Sequence, residues 1–117
     1  MHELSIMMEV IRIVDETAAE NNVDQLKAVV LQVGELSGVV PIFLNEYWPM
    51  LTADKPLYKD SELIIETIPG IARCKKCGTE FNVIENEGWC PKCASFEKDL
   101  VTGREFSIKE LLVPESA

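Results

Sequence analysis

An α+β fold, two helices on one face of a three-stranded mixed sheet with a cysteine-bearing insertion before the last strand, is predicted by three features of this 117-residue chain. A long segment near the start repeats apolar residues at helical spacing. Three later segments show β-branched runs or strict alternation, and all four cysteines fall in one short polar stretch. A hydrophobic fraction of 47% supplies a core for one domain, or for one domain carrying a small subdomain.

In "LSIMMEVIRIVDETAAENN", Leu4, Met7, Ile11, Val14 and Ala18 form a stripe widened by Val10 and Ile13. Glu9, Arg12, Asp15, Glu16 and Glu20 take most other positions, which predicts an amphipathic helix of about five turns. Asn21-Asn22 should end it, since Asn tolerates the left-handed conformation of a helix C-terminus. "LKAVVLQVGEL" reads as a mostly buried strand. "SGVVP" breaks that strand, and Pro41 suits the first position of a second helix, "PIFLNEYW", where its missing N–H is not needed. Pro49 is expected to end or kink that helix, with Trp48 before it biased away from helical angles.

"SELIIETIP" reads as a second strand, with Leu63, Ile65 and Thr67 alternating against Glu62, Ile64 and Glu66. From Arg73 to about Lys98 the texture changes to short polar loops. After Thr102-Gly103, "REFSIKELLV" resumes alternation, with Phe106 and Ile108 on one face and Ser107 and Lys109 on the other. Two helices on one three-stranded sheet are the simplest compact solution for this order. The expected division is residues 1–70 with 99–117 as an α/β domain and 71–98 as the inserted subdomain, with no internal repeats.

Twenty acids against 11 bases leave a net charge of −9, which repels phosphate backbones and argues against nucleic acid as a partner. Metal cations and basic protein surfaces suit that balance better. No uncharged apolar run reaches about 18 residues, so no membrane span is expected. The opening "MHELSIMMEVIRIVDE" lacks a basic leader and an apolar block, and a cytoplasmic location is expected.

Cys74, Cys77, Cys90 and Cys93 make a C-x2-C-x12-C-x2-C pattern. Two residues between thiols let both sulfurs of a knuckle face one point, and Gly78 and Pro91 help the backbone turn around an ion. Four thiolates then close a tetrahedral shell of roughly 2.3 Å Zn–S bonds, so the insertion is read as a zinc-ribbon subdomain with structural Zn²⁺. So short a segment cannot bury a core unaided, and structural zinc contributes about 10–16 kcal/mol in comparable peptides. Lys75, Lys76 and Lys92 beside the ligands soften the formal charge of the cluster. Disulfides would need a secretory context, and thiol–disulfide catalysis a βαβ setting that this segment lacks. A closed shell is not catalytic, and ribbons serve both nucleic-acid binding and structural or adaptor roles, so function stays open at this point.

The only histidine is the second residue. A lone histidine is ordinarily a surface residue, but its position next to the α-amine changes its chemistry. Amine and imidazole titrate at about 7.7–8.0 and about 6.5, so both yield protons to a metal near neutral pH. The His2 amide nitrogen between them completes fused chelate rings of the tetragonal, nitrogen-rich kind that Ni²⁺ or Cu²⁺ prefers and tetrahedral Zn²⁺ does not. The clamp requires a retained Met1 with an unmodified amine. Glu3 stands beside it as a fourth or axial oxygen donor, although a first-turn acid favoured by the helix dipole would also explain it.

"MHELSIM", "VGELSGVVP" at 33–41, the two Cys-x-x-Cys knuckles and "GREFSIKE" together resemble the HypA/HybF family, the nickel-insertion accessory proteins of NiFe-hydrogenase maturation, also implicated in urease maturation. The resemblance runs in order over most of the chain. It implies a nickel-binding α/β domain joined to a zinc ribbon, with Ni²⁺ held as reversible cargo by Met1, His2 and Glu3, and Zn²⁺ by Cys74, Cys77, Cys90 and Cys93. It further implies a metallochaperone rather than an enzyme, working with a HypB-type GTPase and a hydrogenase large-subunit precursor. A monomer or weak homodimer is expected. No phosphate-binding loop of the G-x-x-x-x-G-K-[ST] type occurs in the chain, so nucleotide hydrolysis is left to a partner. The chain departs from the family pattern at Val40 and Ile42, where an acidic residue is frequent, and at Pro49, where the helix usually runs on.

Overall fold

The computed structural model describes residues 3–115. In chain order the elements are α1 (Glu3–Glu20), β1 (Ala28–Gly34), α2 (Pro41–Thr52), a 3-10 turn (Pro56–Tyr58), β2 (Glu62–Ile68), β3 (Ile71–Cys74), β4 (Glu80–Asn82), β5 (Lys98–Thr102) and β6 (Phe106–Leu112). Two three-stranded sheets result, ordered β2-β1-β6 and β4-β3-β5. The chain divides into two compact units, one built from the segment ending at Gln32, Val40–Glu66 and the segment beginning at Ser107, the other from Val33–Val39 and Thr67–Phe106.

In the first unit, α1 buries Met7, Val10, Ile11, Val14 and Ala18, the stripe expected from the periodicity. Asn22 ends α1 in the left-handed region (φ 57), and Val23 N–H reaches back to the Ala18 carbonyl at 2.8 Å. β1 is central, and this explains its nearly unbroken apolar run: Ala28, Val29, Val30, Leu31 and Val33 are all buried. Backbone hydrogen bonds fix the strand directions. Glu62 N–H bonds Lys27 O and Glu35 N–H bonds Ile68 O, so β2 runs parallel to β1. Lys27 N–H bonds Leu112 O and Gly34 N–H bonds Glu105 O, so β6 runs antiparallel. The sheet is mixed, as the element order required.

Pro49 does not end α2; the helix continues to Thr52. The hydrogen bond lost at a proline nitrogen would have gone to the Asn45 carbonyl, and both residues lie on the exposed side, open to solvent. Inward-facing Trp48 is buried and meets the Tyr58 ring edge-on at 5.3 Å between centroids, and Thr52 Oγ1 donates to Trp48 O at 2.7 Å. Packing on the far side of the helix thus overrides the local bias at Trp48. Tyr58 is itself tied to α1, donating to Asp15 Oδ1 at 2.7 Å, while Lys55 Nζ pairs with Asp15 Oδ2 at 2.7 Å.

The cysteine stretch is more ordered than short polar loops. It contributes β3, β4 and β5, with Ala72 paired to Phe81 on one side and to Leu100 on the other, all antiparallel. Its core is small: Ala72, Cys74, Phe81 and Cys90, with Val83 packed against them. No helix among the described residues is long and apolar enough to cross a membrane.

Candidate metal centre

Each Cys-x-x-Cys pair sits in the same backbone turn. Cys74 N–H bonds Thr79 O and Gly78 N–H bonds Cys74 O, both at 2.9 Å. Sixteen residues on, Cys90 N–H bonds Ser95 O and Ala94 N–H bonds Cys90 O, again both at 2.9 Å. Gly78 (φ 76) and Ala94 (φ 64) take the same left-handed conformation. "CKKCGT" and "CPKCAS" share one six-residue pattern, Cys-x-Lys-Cys-small-hydroxyl, at the two knuckles. Thr79 and Ser95 close the two turns in the same way, each accepting the first cysteine's N–H on its carbonyl.

The two turns bring all four sulfurs within 4.8 Å of one another, with Cys74 and Cys90 buried and Cys77 and Cys93 exposed. Cys74 Sγ lies 3.5 Å from Cys93 Sγ, and Cys77 Sγ 3.6 Å from Cys90 Sγ. A tetrahedron with Zn–S bonds of roughly 2.3 Å has edges of about 3.8 Å, close to these separations. All four cysteines are free of disulfides.

The surrounding donors favour thiolates. The Thr79 hydroxyl, 3.2 Å from Cys77 Sγ, together with the Thr79 backbone N–H holds the Cys77 thiol at about 6. Backbone N–H groups of Cys77 and Lys76 draw Cys74 below its ordinary value. Cys93 is the exception: the Ser95 N–H favours its thiolate, but the crowd of neighbouring sulfurs, Cys74 first, pushes it up to about 12. Four sulfur donors held this close around one point make a soft donor set that fits zinc. Of the flanking lysines, Lys75 approaches Asp99 at 3.6 Å.

Met1 and His2 lie outside the described residues. Glu3 is placed in the first turn of α1, and its Oε2 accepts a 3.2 Å hydrogen bond from Val40 N–H, the residue that precedes α2. Val40 and Ile42 present exposed apolar side chains, so neither supplies a carboxylate beside Glu3. No local sequence pattern joins Glu3 to Val40, 37 positions apart.

The family model described as hydrogenase/urease nickel incorporation, metallochaperone, HypA matches residues 1–113. This chain belongs to the HypA family. Among HypA relatives, the "Hydrogenase maturation factor HypA" of Geobacter metallireducens is 38% identical over 97% of this chain and 99% of its own length. The protein of the same name from Geotalea uraniireducens is 36% identical over the same shares. The solution structure of the nickel metallochaperone HypA from Helicobacter pylori superposes with a TM-score of 0.65 at 25% identity, covering 97% of both chains. A second HypA solution structure gives 0.67 at 24% identity, over 97% of this chain and 96% of the other, and supports the fold. HypA membership over nearly the whole length makes this a hydrogenase nickel-incorporation protein by family, with a four-cysteine cluster fit for structural zinc.

Proposed function

We propose that this chain is a cytoplasmic, non-enzymatic nickel metallochaperone that takes Ni²⁺ at its N-terminus and passes it to a hydrogenase large-subunit precursor with the help of a HypB-type GTPase. The α-amine of Met1, the backbone amide nitrogen and the imidazole of His2 form the planar clamp, with Glu3 as an additional oxygen donor. Structural Zn²⁺ on Cys74, Cys77, Cys90 and Cys93 holds the ribbon together. Residues 1–70 with 99–117 serve as the nickel domain and 71–98 as the zinc domain. The observation that carries the reading is the family match, which begins at residue 1 and so includes the Met-His-Glu start.

A terminal clamp suits delivery because its ligands leave one at a time as an acceptor supplies replacements. Protons compete with Ni²⁺ at the amine and amide, so affinity falls as pH drops. The test is a Ni²⁺ titration of zinc-loaded protein with an authentic free amine at Met1. One nickel per chain is expected, lost on His2→Ala or on extending the chain ahead of Met1, with zinc content and fold unchanged. Unaltered nickel uptake in both variants would refute the clamp.

A further inference from the structure

β6 is an edge strand: its inner side pairs with β1, and no strand among the described residues pairs with its outer side. Leu112 turns its carbonyl to Lys27 N–H beside β1. By the alternation of an antiparallel strand, Lys109 and Leu111 then turn their backbone N–H and C=O groups outward. A hollow of about 500 Å³ adjoins this edge, between the second half of α1 and the end of β6. Ile13 and Thr17 of α1 line it, as do Ile108, Glu110, Leu111 and Val113 of the β6 segment. Ile13 is 38% exposed and Val113 50%, apolar surface that the fold of this chain leaves open.

The edge and the hollow together select the occupant. Unpaired backbone donors and acceptors along an exposed edge are completed by an extended strand, whose alternate side chains enter the hollow beside it. The lining is apolar except for Thr17, Asn21 and Glu110, and the Asn21 amide already donates to Thr17 O at 2.7 Å. Glu110 is the one charged residue of the lining among the described residues, and it has no ion pair there. Neighbouring Lys109 points to the other face of the sheet, where its Nζ meets Glu66 at 2.9 Å. A second copy of β6 is a poor occupant: the register that pairs the whole strand with itself sets Lys109 against Lys109 and Ile108 against Glu110. We infer that the outer edge of β6 and the hollow beside it bind an extended segment of a partner protein, with apolar side chains toward α1 and a lysine or arginine that pairs with Glu110. Neither Glu3 nor any of the four cysteines lines the hollow, so this site stands or falls separately from the nickel reading.

The probe is a blocked synthetic peptide with valines and one lysine at alternate positions and threonine between them, titrated into the full, isotope-labelled, zinc-loaded chain. Saturable shifts are expected at the methyl groups of Ile13 and Val113. Amide exchange should slow at Lys109 and Leu111, whose N–H groups gain partners, and stay the same at Ile108 and Glu110, which face β1. N-methylation of alternate residues along one edge of the peptide should abolish binding, and along the other edge spare it. Glu110→Lys, at an exposed position, should weaken binding about tenfold or more, and a peptide with glutamate in place of its lysine should recover it. Absence of shifts up to millimolar peptide would overturn the proposal. Binding that neither N-methylation pattern disturbs would do the same, since side chains alone would then fill the hollow. Shifts that follow the chain's own concentration without peptide would place a second copy at the edge instead, and would also overturn it.

Discussion

Gly78 and Ala94 occupy the same place in the two cysteine turns, both left-handed and each donating its N–H to the carbonyl of the first cysteine at 2.9 Å. One has the residue that this conformation favours; the other carries a Cβ against a cost of about 1–2 kcal/mol. Ala94→Gly should therefore raise stability, by about 0.5–1 kcal/mol once glycine's greater unfolded-state entropy is subtracted. Gly78→Ala should lower it by about 1 kcal/mol, since open space around Gly78 leaves only the backbone term. Denaturant unfolding in excess zinc measures both.

Removing one ligand should dismantle the ribbon. Cys90 is both a sulfur donor and part of a five-residue core that is too small to hold β3, β4 and β5 in place without metal. Cys90→Ala is expected to lose stoichiometric zinc by elemental analysis and the amide protection of Ile71–Cys74. Retention of full zinc with a folded ribbon would disprove the assignment. Wild-type protein should release zinc on acidification, because protons compete with Zn²⁺ for the four thiolates.

Tyr58 gives a prediction at the opposite end of the pH scale. Burial, then the hydrogen bond to Asp15, raises its pKa well above the ordinary value near 10. The folded state thus holds the proton more tightly than the unfolded state. That contribution is fully present below pH of about 10 and is lost as pH rises toward the folded value. Tyr58→Phe should flatten this alkaline loss and cost about 1 kcal/mol at neutral pH from the missing hydrogen bond. Thermal unfolding at pH 7 and at pH about 11 separates the two effects.

Three glycines permit a contact that no other residue would. A Cβ at Gly34 would lie 2.0 Å from Gly103 O, and one at Gly103 would lie 2.5 Å from Gly70 Cα. Both clashes are with backbone, so Gly34→Ala is expected to cost more than about 3 kcal/mol or prevent folding. Gly38→Ala is the control: it meets nothing within 4 Å and has only its φ of +82 to overcome, about 1 kcal/mol. The ranking is read from soluble yield and unfolding midpoints.

Glu3 combines a structural contact with the proposed nickel role, and the two can be separated. Glu3→Gln keeps an oxygen able to accept from Val40 N–H, so stability should change by less than about 0.5 kcal/mol. If the carboxylate is a nickel donor, the same variant weakens Ni²⁺ binding; unchanged nickel affinity would assign Glu3 to holding the helices together. Isothermal titration and thermal unfolding of one preparation give both answers.

Much of this was legible in the chain. Helical spacing located α1, the unbroken apolar run of β1 matched its central position, and cysteine spacing predicted a cluster that the two knuckles close. Asn22 also ends α1 in the conformation its residue type suggests. These are consequences of near neighbours: periodicity of 3.6 or 2 and turns of a few residues. Pro49 does not end α2 because Trp48 and Thr52 anchor the buried side of that helix, and no sequence window contains Tyr58's ring. Tertiary structure alone decided the pairing of Glu3 with Val40, the close approach of Gly34 to Gly103 and the second sheet around the cysteines. Each depends on which distant residues meet, and that is set by how the whole core packs rather than by any local stretch of the chain.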